Sequence, residues 1–371
     1  MRVLVAPDKF AGTLTAVEAA EAIAEGWRRT VPEDDVVTAP MADGGPGFVD
    51  VLHAAMGGEL LAVTVRGPFD ASVPATLLLV GRTAFVESAQ ACGAALLPRR
   101  RHEPVPGAVE DASTYGVGEL VSEALAAGAT EVVVGIGGSG TNDGGAGMLA
   151  ALGATSEPAG ALTAGTTGLA ELAGVDLGPA RERLAGIDLV AASDVDNPLL
   201  GLRGATNVFG PQKGVAADRL LEVDGALTRF AHLAGRELAD AKGAGAAGGL
   251  GYGLMLAGAR REPGFATVAD AVGTADAIRA ADLVLTGEGK VDWQSMSGKV
   301  VSGIAMLAAP AMRPCVVIAG SVQVGSRELR ANGIEAAYSV VEVVGVDAAF
   351  GDPAESLATV AARVARTWSR R

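Results

Sequence analysis

Small polar side chains follow a glycine-rich turn in the segment 135–143, GIGGSGTND; they are Ser139, Thr141, Asn142 and Asp143. Residues 131–134 before the turn are predicted to form a short buried strand, because they are mostly β-branched and do not alternate with polar residues. Apolar residues at helical spacing follow the turn. Glycines there let backbone N–H groups approach a ligand, and a helix N-terminus attracts anions. The segment therefore predicts a phosphate site formed by these side chains and the Gly137–Gly138 backbone.

Two other interpretations of this turn stay open. Gly135, Gly137 and Gly140 match the G-x-G-x-x-G pattern of dinucleotide-binding folds. That interpretation needs a second strand with an acidic end about 20 residues further on, where residues 155–168 are predicted to be a loop. The turn could also serve only to pack a helix against a strand.

Two more polar loops follow predicted strands near the start of the chain. Asp8, Lys9 and Thr13 lie after the first strand, and Asp43 lies after the second, in the sequence ADGGPG. Open α/β sheets bind ligands at the carboxyl ends of their strands. These residues are therefore candidates for a ligand site, although each aspartate could instead cap a helix or form a turn.

The composition is that of a globular protein with about two domains, since the chain has 371 residues, 49% of them apolar. The formal net charge of −14 argues against nucleic acid or an anionic membrane surface as a partner. Cys92 and Cys315 are too few for a disulfide framework, and we expect both to be structural thiols. With no signal-peptide pattern and no apolar run of membrane-spanning length, we expect a cytoplasmic protein.

The order of predicted elements indicates an α/β fold with two domains. Short strand runs between residues 60 and 87 are separated by turns and are predicted to be antiparallel. Strands near residues 3, 37, 284, 317 and 338 predict one five-stranded parallel sheet. We therefore predict a Rossmann-like parallel-sheet domain formed by both termini, residues 1–65 and 280–371, and an inserted second α/β domain with a mixed sheet, residues 66–279.

The loops share glycine, a carboxylate and a lysine or hydroxyl, which is the inventory of phosphoryl transfer. SDVDNP with GPQKG behind it forms a fourth loop, and GEGKVD, which contains Glu288, a fifth. Other chemistries fit poorly. The three histidines, His53, His102 and His232, are not at metal-binding spacing, no G-x-S-x-G motif occurs, and Val300 stands where a Walker A motif needs Ser or Thr.

The combined motifs resemble those of bacterial type I glycerate kinases across essentially the whole chain. They are, in chain order, PDKFAGTLTAVE, ADGGPG, STYGVGEL, GIGGSGTNDGGAGML, DVDNPLLG, FGPQKG, GAGAAGGLG and LTGEGKVD. The resemblance implies two α/β domains and phosphorylation of D-glycerate by ATP with Mg²⁺, with 2-phosphoglycerate as the expected product. The chain departs from the common pattern at Ala11, Pro46 and Gly140, where the family often has Lys, Glu and Ala.

Roles for individual residues are assigned from their chemistry. Lys213 is predicted to neutralise charge on the transferred group, and Asp194 to be the base for the glycerate hydroxyl. Asp43 or Asp196 is predicted to lie nearer the metal ion. Asp8, Lys9 and Thr13 form the predicted substrate set, with the lysine facing the substrate carboxylate. The predicted phosphate and nucleotide set is Gly137, Gly138, Ser139, Thr141, Asn142, Asp143 and Glu288.

Alternatives from other classes remain. One is an NAD-dependent oxidoreductase of a small hydroxy acid, and another is a two-domain protein that binds a small molecule without catalysis. The partners expected are D-glycerate and ATP, without nucleic acid or membrane, and a homodimer is left open.

Overall fold

A computed structural model describes residues 1–101, 103–293, 295–296 and 299–369. Its strands are β1 (Arg2–Val5), β2 (Asp35–Thr38), β3 (Glu59–Arg66), β4 (Ser72–Val80), β5 (Thr83–Glu87), β6 (Arg99–Arg100), β7 (Glu103–Pro104), β8 (Glu131–Gly135), β9 (Thr155–Glu157), β10 (Gly174–Asp176), β11 (Asp188–Ala192), β12 (Arg260–Glu262), β13 (Leu283–Thr286), β14 (Lys290–Val291), β15 (Cys315–Ala319), β16 (Ser321–Val322) and β17 (Ala336–Ser339).

The α-helices are α1 (Ala16–Thr30), α2 (Phe48–Met56), α3 (Ala89–Cys92), α4 (Tyr115–Ala126), α5 (Ala146–Ala151), α6 (Gly165–Ala170), α7 (Gly178–Arg183), α8 (Ala205–Lys213), α9 (Leu220–Ala234), α10 (Ala246–Leu256), α11 (Gly264–Ala271), α12 (Thr274–Ala280), α13 (Val300–Ala308), α14 (Ser326–Ala331), α15 (Val340–Val344), α16 (Val346–Gly351) and α17 (Pro353–Trp368). Short 3₁₀ helices occur at Ala94–Leu96, Ala108–Glu110, Ala161–Thr163 and Arg236–Asp240.

The chain forms two compact units. The first unit consists of Met1–Asp43, Asp50–Gly57 and Gly264–Arg371, and the second of Gly44–Val49 and Gly58–Pro263. The domain boundaries that the sequence predicts, near residues 65 and 280, stay a prediction.

The first unit is built on a five-stranded sheet in the order β17-β15-β13-β1-β2, with every neighbouring pair parallel. These are the five strands predicted from the sequence. Helix α1 begins with the predicted capping box, because Thr15 accepts a hydrogen bond from the Glu18 N–H and the Glu18 carboxylate accepts one from the Thr15 N–H. Its apolar face, including Ile23 and Trp27, is fully buried in the core of this unit.

The second unit is built on a six-stranded mixed sheet in the order β12-β11-β8-β5-β4-β3. Strands β3, β4 and β5 pair antiparallel, as predicted, and β5, β8, β11 and β12 pair parallel. Its core includes Phe230 and Tyr252 in an edge-to-face contact with ring centroids 5.7 Å apart. The parallel sheet and the mixed sheet confirm the predicted α/β fold class.

Two segments of the second unit differ from the sequence-based expectation. Residues 155–168, predicted as loop, contain β9, a 3₁₀ turn and the start of α6, and β9 pairs antiparallel with β10 rather than extending the parallel sheet. The FGPQKG motif lies at the end of α8, with Pro211 inside the helix and Gly214 ending it in a left-handed conformation. Composition rich in Gly, Pro and Thr hides such short elements, because tertiary packing overrides weak propensities.

Candidate functional site

In the first unit, the loops after β1, β13 and β15 are joined by backbone hydrogen bonds. The Asp8 N–H donates to the Gly287 carbonyl at 2.8 Å, and the Gly320 N–H donates to the Glu288 carbonyl at 3.1 Å. A Cβ on Gly287 would overlap the Ile318 carbonyl oxygen, so only glycine permits this close approach. The loops are therefore held in fixed positions at the carboxyl edge of the sheet.

The strand order identifies where a ligand should bind on this sheet. Strands β1 and β13 are neighbours, yet the chain leaves β1 towards β2 on one side and leaves β13 towards β15 on the other. Such a reversal of strand order opens a crevice at the carboxyl ends, which is the usual ligand site of open parallel sheets. Asp8 follows β1 and Glu288 follows β13, so both residues lie at this point.

A cavity of about 510 Å³ lies there, and charged residues line one part of it: Asp8, Lys9, Asp43, Glu288, Lys290 and Lys299. Thr13 also lines the cavity, and its hydroxyl donates to the Phe10 carbonyl at 2.9 Å. The structure thus places five predicted site residues around one cavity: Asp8, Lys9, Thr13, Asp43 and Glu288.

Lys9 lies between two carboxylates. Its Nζ is 3.5 Å from Asp8 Oδ1 and 3.9 Å from Asp43 Oδ1. Burial raises the pKa of Asp8 to about 6, although Lys9 opposes that shift, while the Asp43 charge adds to it. A carboxyl that titrates near neutral pH and a neighbouring ammonium can accept and donate hydrogen bonds to a small polar ligand.

Glu288 has the other unusual carboxyl of the cavity. Burial raises its pKa to about 7, a hydrogen bond from Ser295 lowers it, and the Asp8 charge raises it further. Its Oε1 atom is buried and accepts no hydrogen bond from the described residues. Buried polar atoms normally have partners. An acceptor without one in a cavity wall is suited to a donor supplied by a ligand.

The glycine loop of the second unit has a different environment. Lys213, at the end of α8, is buried, and its Nζ donates to Ser139 Oγ at 2.8 Å and to the Thr141 carbonyl at 2.7 Å. Burial lowers the pKa of Lys213 to about 8. These contacts connect the FGPQKG and GGSGTND motifs, and they give Lys213 a role in holding the loop.

The Asp143 side chain caps helix α5 from inside the protein. It is fully buried; Oδ1 accepts from the Gly145 N–H, and Oδ2 accepts from the Gly147 N–H and from both the N–H and hydroxyl of Thr114. Burial raises the pKa of Asp143, and these four hydrogen bonds oppose the shift. Helix α5 has six residues, and its other first N–H groups are also bonded: Ala146 donates to the Asp143 carbonyl at 3.1 Å and Met148 to Thr114 Oγ1 at 3.0 Å.

Other groups of the loop also bond within the protein. Thr141 and Asn142 are fully buried, and Asn142 Nδ2 donates to Thr206 Oγ1 at 3.0 Å. The Gly137 N–H donates to the Gly44 carbonyl at 3.0 Å, and a Cβ on Gly137 would lie 2.5 Å from Gly45 Cα. Close packing thus accounts for glycine at position 137, and phosphate binding by Gly137, Gly138 and the loop side chains stays a prediction.

The two aspartates of the SDVDNP motif differ in exposure. Both follow β11, which pairs parallel with β8, so they lie at the same edge of the mixed sheet as the glycine loop. Asp194 is partly buried, whereas Asp196 is exposed. The Asp196 carboxylate forms ion pairs with Arg261 at 2.7 Å and Lys242 at 3.5 Å.

Comparisons with known proteins agree with these motifs. The sequence profile of the glycerate kinase family matches residues 3–369. The glycerate kinase of Bacillus subtilis strain 168 is 40% identical over 375 residues, covering 98% of this chain and 97% of the relative. The chain belongs to the glycerate kinase family.

Two further relatives support this membership of the glycerate kinase family. The glycerate 2-kinase of Escherichia coli K12 is 38% identical over 377 residues, covering 99% of this chain and 98% of the relative. A crystal structure from Salmonella typhimurium LT2, whose protein is provisionally named glycerate kinase 2, superposes with a TM-score of 0.79 at 38% identity and covers 99% of this chain and 98% of that one. The chain is a kinase, and these matches do not favour the oxidoreductase alternative.

The structure places the predicted site residues in two groups, one in each unit. Asp8, Lys9, Thr13, Asp43 and Glu288 lie together in the first unit, whereas Asp194, Asp196, Lys213 and the glycine-loop residues belong to the second. In the described part of the chain, no three His, Cys, Asp or Glu side chains are arranged to hold a metal ion. His102 lies outside the described residues, and Cys92 and Cys315 are free and buried, as expected of structural thiols.

Sequence reasoning missed several residues of the cavity wall: Lys290, Lys299, Val340, Val341, Phe350 and Leu357. Lys290 could have been predicted from the sequence, because it stands in the GEGK motif two positions after Glu288. The apolar residues gave no signal, since apolar walls of ligand sites resemble core residues in sequence. None of the described helices has the length and apolarity required to cross a membrane.

Proposed function

We propose that this kinase transfers the γ-phosphoryl group of ATP to D-glycerate, with Mg²⁺, and forms 2-phosphoglycerate. The relative in E. coli is named for this position of transfer. The observation that carries the proposal is the cavity of the first unit, where predicted substrate residues and lysines lie at the carboxyl edge of a parallel sheet. In the reaction a glycerate hydroxyl oxygen bonds to the γ-phosphorus, the bond to the β–γ bridging oxygen breaks, and ADP leaves.

The charges of the cavity suit a small anionic substrate despite the acidic chain. Three lysines, at positions 9, 290 and 299, stand among its three carboxylates. Lys9 is the proposed partner of the glycerate carboxylate, because an ammonium near an anion forms a strong, charge-assisted hydrogen bond. Asp8 and Glu288 offer oxygens to the hydroxyl groups, and the unpaired Glu288 Oε1 gains a donor when substrate binds.

Mg²⁺ fits the cavity through Asp43. This ion is usually held by one or two protein carboxylates together with substrate phosphates and water, so one carboxylate in a cavity wall is sufficient. When bound, the ion would neutralise charge on the phosphates. Asp196 fits less well, because it does not line this cavity and pairs with two cations, Arg261 at 2.7 Å and Lys242 at 3.5 Å, whereas Asp43 Oδ1 lies 3.9 Å from Lys9.

Asp194 stays our candidate for the base that accepts the proton of the attacking hydroxyl. We expect Asp194→Asn to lower kcat about 10²–10⁴-fold, because a general base typically contributes that much. The change should leave the circular dichroism spectrum and thermal unfolding unchanged. Near-normal turnover by Asp194→Asn would show that another group takes the proton.

The product decides between the two positions of transfer. We would incubate the protein with ATP, Mg²⁺ and D-glycerate and record the proton-coupled phosphorus NMR spectrum. Phosphate on the C2 oxygen couples to one carbon-bound proton and gives a doublet, whereas phosphate on the C3 oxygen couples to two and gives a triplet. A triplet would overturn the proposed product, and ADP release that does not depend on glycerate would overturn the proposed substrate.

A further inference from the structure

The cavity of the first unit has two ends of different chemistry. The charged end is formed by the loops after β1 and β13, with lysines and carboxylates close together. The apolar end is formed by the lining residues that α15, α16 and α17 contribute, and among the described residues these are all apolar: Val340, Val341, Ala349, Phe350, Pro353 and Leu357. A ligand that fills the cavity therefore needs one charged part and one apolar part.

The size of the cavity also indicates a larger ligand than glycerate. Cavities of about 300–1,000 Å³ bind drug-sized molecules, and this one measures about 510 Å³. A three-carbon acid has no apolar part and would occupy only the charged end. The apolar side chains named above offer no hydrogen bonds to water. That end is therefore suited to a flat apolar group.

The apolar end has a fixed floor and an exposed rim. Val340 and Leu357 are buried and belong to the core of the unit, so they do not move independently of it. The Val341 N–H donates to the Gly320 carbonyl at 3.1 Å, which ties the start of α15 to the loop after β15. Phe350 lies at the rim and is 67% exposed. An aromatic ring at the rim of an apolar cavity can pack against the face or edge of a second ring.

We infer that the apolar end of this cavity binds the purine base of the phosphoryl donor, with Phe350 packed against the base and the phosphate chain directed towards Lys290 and Lys299. This inference rests on the proposed use of ATP. It places the base at a site that composition and motifs did not indicate. It also explains why the helices α15 and α16 present apolar side chains to a cavity whose other end is charged.

The test compares two substitutions by alanine on one helix. Phe350→Ala removes the proposed contact, and Val346→Ala is the matched control, because Val346 lies on the same helix α16, is 60% exposed and does not line the cavity. We expect Phe350→Ala to raise the KM for ATP about tenfold and to leave the KM for D-glycerate within about twofold of wild type. Val346→Ala should change neither constant.

Binding without catalysis gives the second readout. Adenosine and inorganic tripolyphosphate are titrated separately into the full-length protein by calorimetry. We expect Phe350→Ala to weaken adenosine about tenfold and leave tripolyphosphate unchanged, whereas Phe350→Trp should retain adenosine binding. If Phe350→Ala binds adenosine as wild type does, or if it changes the KM for D-glycerate instead, the base does not bind here.

Failure of the proposed function would look different. In that case the wild-type protein would release no ADP when D-glycerate is added, whatever the adenosine titration gave. Turnover by wild type combined with an unchanged KM for ATP in Phe350→Ala would overturn only the location of the base.

Discussion

Two loops of similar composition, one in each unit, use their polar groups in opposite ways. In the second unit, the Asp143 carboxylate, the Asn142 amide nitrogen and the Ser139 hydroxyl bond to the protein itself. Thr141 Oγ1 and Asn142 Oδ1 have no hydrogen-bond partner among the described residues, but both side chains are fully buried and line no described cavity wall of the first unit. In the first unit, Asp8, Lys9 and Glu288 line a cavity, and Glu288 Oε1 lacks a partner among the described residues. The first arrangement stabilises a loop, and the second leaves groups available to a ligand.

The difference shows what residue types alone cannot determine. At a strand end, glycine, carboxylate, hydroxyl and lysine groups can bind phosphate. The same groups can instead form hydrogen bonds within the protein that stabilise the loop. The direction of the side chains decides, and it depends on which neighbours pack against the loop. Variants of the glycine loop should therefore act first on stability, and variants of the cavity first on turnover.

The largest effect is expected from Asp143→Ala. This change leaves three buried backbone N–H groups and the Thr114 hydroxyl without their acceptor. Each unsatisfied buried donor costs about 1–3 kcal/mol, so the free energy of unfolding should fall by about 4 kcal/mol or more. Urea denaturation followed by circular dichroism measures the change.

The control for Asp143 is an aspartate at the surface. Asp240→Ala removes an exposed side chain that pairs with Arg236 at 2.9 Å, and exposed ion pairs contribute about 0–1 kcal/mol. If Asp143→Ala were no more destabilising than Asp240→Ala, the loop would not depend on its internal hydrogen bonds, and the contrast with the cavity would be lost.

A second, smaller effect on stability is expected from Gly137→Ala. The added Cβ would meet Gly45 Cα at 2.5 Å, and backbone on both sides must move to relieve the overlap. We expect the free energy of unfolding to fall by about 2–3 kcal/mol. Gly225→Ala is the matched change, because a Cβ there has no neighbour within 4 Å and alanine favours the helix by about 1 kcal/mol. Equal effects of the two substitutions would contradict close packing as the reason for Gly137.

The sequence predicted the sheets well and the environment of the loops poorly. Short apolar runs that lead into polar loops marked β1, β13 and β15, a β-branched run without alternation marked β8, and strand runs separated by turn residues marked β3 to β5, because a buried strand leaves a direct pattern in the residues. The family followed from motifs across the whole chain. The burial of Asp143 could not be read from its motif, since its four donors come partly from residues near position 114, nearly 30 positions away. The apolar wall at Phe350 was equally hidden, because nothing local separates it from core.

In the cavity, Lys9→Met should affect turnover more than stability. The substrate carboxylate loses its proposed ammonium partner, and a hydrogen bond to a charged group contributes about 1.5–3 kcal/mol, so kcat/KM for D-glycerate should fall about 10–100-fold. Stability should change by only about 1 kcal/mol, because Asp8 can bind a proton instead of remaining charged beside an empty position. Steady-state kinetics and urea denaturation test both statements, with Lys242→Met, an exposed lysine of the second unit, as control. Unchanged kinetics in Lys9→Met would remove the main reason for placing glycerate in the cavity.

The smallest effect concerns the pH dependence of stability and Glu288. The pKa of this carboxyl is about 7 in the folded protein, against an ordinary value of 4.5, in surroundings that include Asp8, Asp292, Ser295 and Lys299. Between those values the folded state binds more protons than the unfolded state, so the free energy of unfolding must fall as pH rises through this range. Glu288→Gln removes the titrating group and should reduce that fall by about 1 kcal/mol between about pH 6 and about pH 7. Urea midpoints of the two proteins at both pH values give the comparison. If the stability of both proteins changed equally with pH, Glu288 would be ionised throughout this range, with its charge compensated by a cavity lysine.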